Sequence, residues 1–202
     1  MLALALAAEF RPVDADGAIA TLNALGDELA RVPGIQSAEP EAQARACGEL
    51  LGGVHGFEGD REHYDDPQNS MLDLVLSRRR GLPILVSVVY VEVARRAEIA
   101  LAGVGLPGHF VVGHFGADPP LLLDPFAGGG PLGADVSSDG AHAWSPHQIA
   151  TRMLNNLLAS FDRRGDLTSA IRAASMRLEL PAPEGLRETL ELELRSLHSR
   201  LN

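Results

Sequence analysis

The sequence predicts an α+β fold, a small antiparallel sheet with helices before and after it. Two patterns carry that expectation. Three short apolar runs, residues 99–104, 109–115 and 121–126, are separated by Gly- and Pro-containing turns, as consecutive antiparallel strands are. The segments on either side instead repeat apolar residues at helical spacing. At 202 residues, 46% hydrophobic and 22% charged, the chain is long enough and apolar enough for one globular core.

In order along the chain, Ile19, Leu22, Leu25 and Leu29 share a helical face behind Asp14 and Asp16, whose charges suit a helix N-terminus, so a helix is expected over 14–31. A second is expected from Pro40, a favourable first-turn residue, through Ala42, Ala46, Cys47, Leu50 and Leu51 until Gly52-Gly53 stops it. Residues 54–68 are polar, interrupted by Gly and Pro and without a period, so they read as a long loop. Asn69 or Ser70 then caps a helix carrying Met71, Leu72, Leu74, Val75 and Leu76, which ends in the cationic turn Arg78-Arg79-Arg80 before Gly81. After Pro83 the apolar run is too long for a typical strand, despite Val88, Val89, Val91 and Val93, and reads as a buried helix over 84–97.

Beyond the strands, Asp118-Pro119-Pro120 marks a turn, and the Gly-rich stretch 127–141 lacks lysine and phosphate-loop spacing, so it is expected to be a surface loop without a nucleotide role. Helices are expected over 146–163, where Leu154, Leu157, Leu158 and Phe161 form a stripe, over 166–179 behind the cap Asp166, and over 184–200. Glu188, Glu191, Glu193 and Arg195 make the last of these a solvated face. Residues 165–183 resemble part of a tetratricopeptide unit; a solenoid needs about three repeats, and an ordinary helical hairpin fits equally well.

Charge and composition narrow the partners. Seventeen basic residues, all of them Arg, stand against 27 acidic ones, and the net charge of −10 repels phosphate backbones, so nucleic acid is not expected. No run approaches the roughly 20 apolar residues of a spanning helix, so no membrane is expected either. The opening MLALALAAE has no positive leading region and meets Glu9 and Arg11 at once, unlike a secretion signal, which points to the cytoplasm. A lone cysteine, Cys47, excludes an internal disulfide and a Cys-rich zinc site.

The chemistry-bearing residues concentrate in Pro107-Gly108-His109-Phe110 and Leu121–Phe126. His109 and Asp124 sit nearly opposite each other if their runs pair through a turn near residue 117. A carboxylate accepting the Nδ1 proton would fix the imidazole tautomer and stabilise its cation, as a general base in acyl transfer requires. The same residues also fit a structural role, with Asp124 capping the turn before Pro125 and His109 half-buried on a strand. His109 and His114 point to opposite faces of one strand, and His55, His63, His142, His147 and His198 lack the spacing of a helical metal pair; no metal and no cofactor are expected.

A family resemblance joins these pieces. Phe57-Glu58-Gly59, Tyr64, Asp66-Pro67-Gln68-Asn69-Ser70, Val75-Leu76, Arg79-Arg80-Gly81-Leu82-Pro83, Tyr90, Ala94-Arg95-Arg96, Gly103-Val104, Pro107-Gly108-His109-Phe110 and Asp124-Pro125-Phe126 occur in the order of the SirB1 family, a branch of the transglutaminase-like superfamily. Arg152-Met153-Leu154-Asn155-Asn156-Leu157 resembles the family's next block. The resemblance implies a papain-like core, with a nucleophile-bearing helix packed on an antiparallel sheet that carries His and Asp. The expected organisation is then an N-terminal helical segment over 1–35, a transglutaminase-like core over 36–145 and C-terminal helices over 146–202.

The superfamily implies a Cys-His-Asp triad with its thiolate at the start of the central helix. His109 and Asp124 match the sheet partners, but the helix start is Leu82-Pro83-Ile84-Leu85, and neither Pro83 nor Ile84 can attack a carbonyl. Cys47 lies on a different expected helix among alanines, where core packing suits it. Ser87, one turn into the central helix, is the candidate for a serine variant of the triad; alternatively its hydroxyl bonds back to the Pro83 carbonyl. Tyr64, Asn69, Ser70, Arg80 and Ile84 are the candidates for lining the cleft. Two functions follow: a non-catalytic module that binds a peptide or protein partner, or a hydrolase or acyl-transfer enzyme using Ser87, His109 and Asp124.

Overall fold

A computed structural model describes residues 1–132, 140–181 and 184–201. The apolar opening of the chain forms α1 (Leu2–Ala8), which buries Ala3, Leu4, Leu6 and Ala7 in the main core. α2 (Ala15–Ala30) begins at Asp14, whose carboxylate accepts the Gly17 N–H, and it buries Leu22, Leu25 and Leu29 as their spacing predicts. α3 (Pro40–Gly48) is not ended by Gly52-Gly53, because the chain continues as a π-helix from Glu49 to Val54. A Cβ on Gly48 or Gly52 would lie 2.3 or 1.8 Å from the carbonyl oxygen of Gly129 or Gly128. These glycines therefore admit an opposing backbone rather than break the helix.

The expected loop over 54–68 holds one short element, β1 (Glu58–Gly59). It pairs in parallel with β2 (Arg80–Gly81), which follows α4 (Leu72–Arg78). Asn69 and Ser70 do not cap α4. They lie buried in a 3-10 turn, Pro67–Ser70, which Asp66 caps, and α4 starts after Met71 without a side-chain cap. Of the three consecutive arginines only Arg78 sits in the last helical turn. Arg79 takes a left-handed backbone at φ 58, and Arg80 belongs to β2.

α5 (Pro83–Arg96) is the buried helix that the sequence predicts. Val86, Val89, Tyr90 and Val93 keep no exposed surface. Fully burying an aliphatic side chain contributes about 1.5–3 kcal/mol, which outweighs the strand preference of the valines. The helix packs on α2, on β3 (Leu101–Leu106) and on β4 (His109–His114). Pro107-Gly108 joins those two strands, with Gly108 at φ 70 in the left-handed position that a Pro-Gly turn requires. β5 (Leu121–Asp124) and β6 (Gly130–Pro131) complete an antiparallel sheet of order β3-β4-β5-β6. Leu106 opposes His109 and Val112 opposes Leu123, so Asp124 falls diagonally from His109. Phe110, Val112 and Leu123 join the core with α5, whereas Val104, Val111 and Leu122 form a smaller second cluster.

The last helices pack in sequence. α6 (Pro146–Arg163) starts from a capping box of Ser145 and Gln148, α7 (Leu167–Glu179) is capped by Asp166, and α8 (Glu184–Ser199) lies against α7. Part of the Gly-rich stretch, residues 133–139, and residues 182–183 of the tetratricopeptide-like segment lie outside the described residues, as does Asn202. Among the described residues no helix is long and apolar enough to cross a membrane.

Candidate functional site

The tight Pro107-Gly108 turn fixes His109 as the first residue of β4, and Pro125, which cannot donate to a ladder, fixes Asp124 as the last of β5. The two side chains meet, with His109 Nε2 3.0 Å from Asp124 Oδ2 and both largely shielded, at 29% and 18% exposure. Asp124 Oδ1 meanwhile accepts the backbone N–H groups of Phe126, at 3.0 Å, and of Ala127, at 3.3 Å. The histidine contact and the turn-capping contact considered from sequence thus coexist in one carboxylate. The ring nitrogen facing Asp124 is Nε2 rather than the Nδ1 expected, which leaves Nδ1 on the edge away from the carboxylate.

Phe126 organises the surface around the pair. Its ring stands edge-on to His109 at 84° and 6.1 Å between centroids, and edge-on to Tyr64 at 6.1 Å. The Arg61 guanidinium lies over the ring, 5.0 Å from its centroid. A Cβ on Gly59 would fall 2.1 Å from Phe126 Cε2, so the ring packs directly on the β1 backbone. Arg61 and the role of Phe126 are not legible in the sequence, because nothing in local spacing brings residues 59–64 to residue 126.

The nucleophile side of the expected triad is apolar. Leu82 N–H donates to the Asn69 carbonyl at 3.0 Å, tying the start of α5 to the 3-10 turn, and Pro83 and Ile84 are buried. Ser87 is fully buried and its hydroxyl donates to the Phe110 carbonyl at 3.4 Å, not to Pro83 or to the His109 ring. Cys47 is buried too, and loss of solvent pushes its thiol up to about 12. Tyr90 ends beside the Gly129 backbone with an unpartnered hydroxyl; burial first, then the charges of Cys47 and Asp124, hold it protonated well above the usual range.

Asn69 has a different job from capping. Its amide nitrogen donates to Asp60 Oδ2 at 3.3 Å and to the His63 carbonyl at 2.8 Å, while Arg78 reaches Asp60 at 3.3 Å. Burial works to raise the Asp60 pKa, but the His63 N–H, the Asn69 amide and the His63 and Arg78 charges outweigh it and hold the carboxyl below its usual value. Asn69 Oδ1 and the Ser70 hydroxyl are buried without a partner. Arg80 is exposed and pairs with Glu58 across β1 and β2. Among the candidates, His109, Asp124 and Tyr64 therefore gather around Phe126, whereas Asn69, Ser70 and Ile84 lie buried near the α5 start and Arg80 stands apart.

Two cavities lie elsewhere. One of about 680 Å³ runs between α3 and the β5–β6 edge, against Ala44, Gly48, Leu121, Leu123 and Leu132. Another of about 430 Å³ lies under α1, against Met1, Ser87, Phe110, Trp144 and Ile149. His109 and Asp124 line neither. Among the described residues no group of three or more His, Cys, Asp or Glu is placed to hold a metal ion.

The family model of the transglutaminase-like superfamily matches residues 16–147, which span every element of this site. The chain belongs to the transglutaminase-like superfamily. The transglutaminase-like chain is 39% identical over 153 residues to a UPF0162 protein of Xylella fastidiosa, covering 66% of this chain and 54% of that one. It is 30% identical over 171 residues to the UPF0162 protein PA3419 of Pseudomonas aeruginosa, covering 76% and 62%. It is also 30% identical over 126 residues to F-box only protein 21 of Mus musculus, covering 54% and 20%. The chain spans little more than half the length of the bacterial relatives named here. No solved structure matches it.

Proposed function

We propose that this domain is a non-catalytic module of the SirB1 branch, acting in the cytoplasm, that binds a peptide or protein segment on the surface around His109 and Asp124. The observation that carries the reading is the first turn of α5. Where the superfamily resemblance calls for a thiolate, the chain presents Leu82, Pro83 and a buried Ile84, none of which attacks a carbonyl. Cys47 does not substitute, because a thiol near 12 carries almost no thiolate at neutral pH. The exposed Tyr64 and the half-buried Phe126 give the surface an apolar, rigid contact area of the kind that anchors a bound segment.

A second reading keeps the domain a hydrolase or acyl-transfer enzyme, and the His109–Asp124 contact is what favours it. It requires the Ser87 hydroxyl to leave the Phe110 carbonyl and the core, which the packing of α5 opposes. The test is a display selection of peptides on the immobilised full chain, run beside labelling with a fluorophosphonate probe. The binding reading expects retained peptides and an unlabelled Ser87. No retained peptide, or a covalent adduct on Ser87 that His109→Ala abolishes, would overturn it.

A further inference from the structure

We infer that the surface selects its peptide through an acidic side chain held by the Arg61 guanidinium over Phe126, an inference that rests on the binding reading above. The other arginines near the site are engaged, Arg79 by the His55 carbonyl at 2.7 Å and the rest by carboxylates. Arg78 meets Asp60 and Asp66, Arg80 meets Glu58, and Arg163 meets Asp65. Arg61 differs: among the described residues it has neither an ion-pair partner nor a hydrogen-bond acceptor for its guanidinium, and it is exposed. Its guanidinium lies over the Phe126 ring, 5.0 Å from the centroid, a contact that does not use its N–H groups.

The same ring fixes the neighbours of that fork. His109 and Tyr64 each stand 6.1 Å from the Phe126 centroid, so a guanidinium, an imidazole and a phenol border one aromatic plate. With His109 Nε2 turned to Asp124, the Nδ1 edge is the one left to a ligand. A planar carboxylate matches the guanidinium bidentately, while an apolar residue beside it covers Tyr64, whose side is 48% exposed. A net charge of −10 opposes any acidic partner at long range, and a dianion twice as strongly as a monoanion, so a side-chain carboxylate fits better than a phosphate. The contact is consequently a short-range, selective one.

The test uses an array of amidated, unphosphorylated dodecapeptides, so that neither a chain-end carboxylate nor a phosphate gives signal. Bound peptides are expected to be rich in Asp or Glu next to an apolar residue. Replacing the acid by its amide should weaken binding of the best peptide by about tenfold or more, the size of one charge-assisted pair. Arg61→Glu, on the surface and thus harmless to the fold, should weaken binding of the acidic peptide by a similar factor and abolish its preference over the amide. Retained peptides without acidic enrichment, or an unchanged affinity in Arg61→Glu, overturn the inference while leaving the binding reading intact. An array that retains nothing overturns both.

Discussion

Asp124 divides its carboxylate between two tasks, with Oδ2 set 3.0 Å from His109 Nε2 and Oδ1 accepting the Phe126 and Ala127 N–H groups. The imidazole contact therefore depends on the same turn that positions Phe126. Asp124→Ala should cost about 1–2 kcal/mol, as loss of a cap does. Asp124→Asn keeps an oxygen for the turn and should cost much less. Urea unfolding midpoints measure both, and equal losses would show that the cap is not the role.

Gly59 and Phe126 form a second dependency. An alanine at 59 drives its Cβ to 2.1 Å from the ring, so the ring must shift, at a cost of about 1–3 kcal/mol as for other overpacked sites. In a Phe126→Ala background the same Gly59→Ala change should be nearly neutral. A double-mutant cycle in urea checks this, and additive costs would contradict direct contact.

How much of this arrangement the sequence carries depends on whether the interaction is local. α2, α5, α6 and strands β3, β4 and β5 follow from periodicity and turn residues, and their limits fall within a residue or two of those expected, whereas β6 lies in the Gly-rich stretch expected as a loop. Gly52-Gly53 misled because a glycine pair reads as a stop, while here Gly52 faces the Gly128 carbonyl across the fold. Asn69 misled likewise, since its partners Asp60 and His63 precede it in a segment without a period. His109 and Asp124 were legible from two strand motifs; the plate of Arg61, Tyr64 and Phe126 was not, because a parallel pairing of two residues, Glu58–Gly59 with Arg80–Gly81, gives no sequence pattern.

His114 makes folding sensitive to acid. Its Nδ1 accepts the Gly116 N–H at 3.1 Å, so Nε2 carries the proton that Gln43 Oε1 accepts at 2.7 Å. Burial lowers its pKa, opposed in part by a backbone hydrogen bond. The unfolded chain thus takes up the proton first, and stability falls as pH drops below the unfolded value of about 6.5. The stability advantage of the native chain over His114→Gln, read from urea unfolding, should shrink between pH 7.5 and pH 5. An advantage independent of pH would contradict the account.

Cys47 should be inert in the folded protein, being fully buried with its thiol pushed up to about 12. Iodoacetamide at pH 8 is expected to alkylate it only in denaturant, as intact mass shows. Rapid alkylation of the native chain would return Cys47 to the list of nucleophiles.

We propose that His109 and Asp124 serve a binding surface and not a catalytic one. The most direct test is the hydrolysis of p-nitrophenyl acetate by the full chain and by His109→Ala at equal concentration. Rates that agree within about twofold are expected, since no nucleophile depends on the imidazole. A fall of about 100-fold or more in the variant, the usual contribution of a general base, would contradict the proposal.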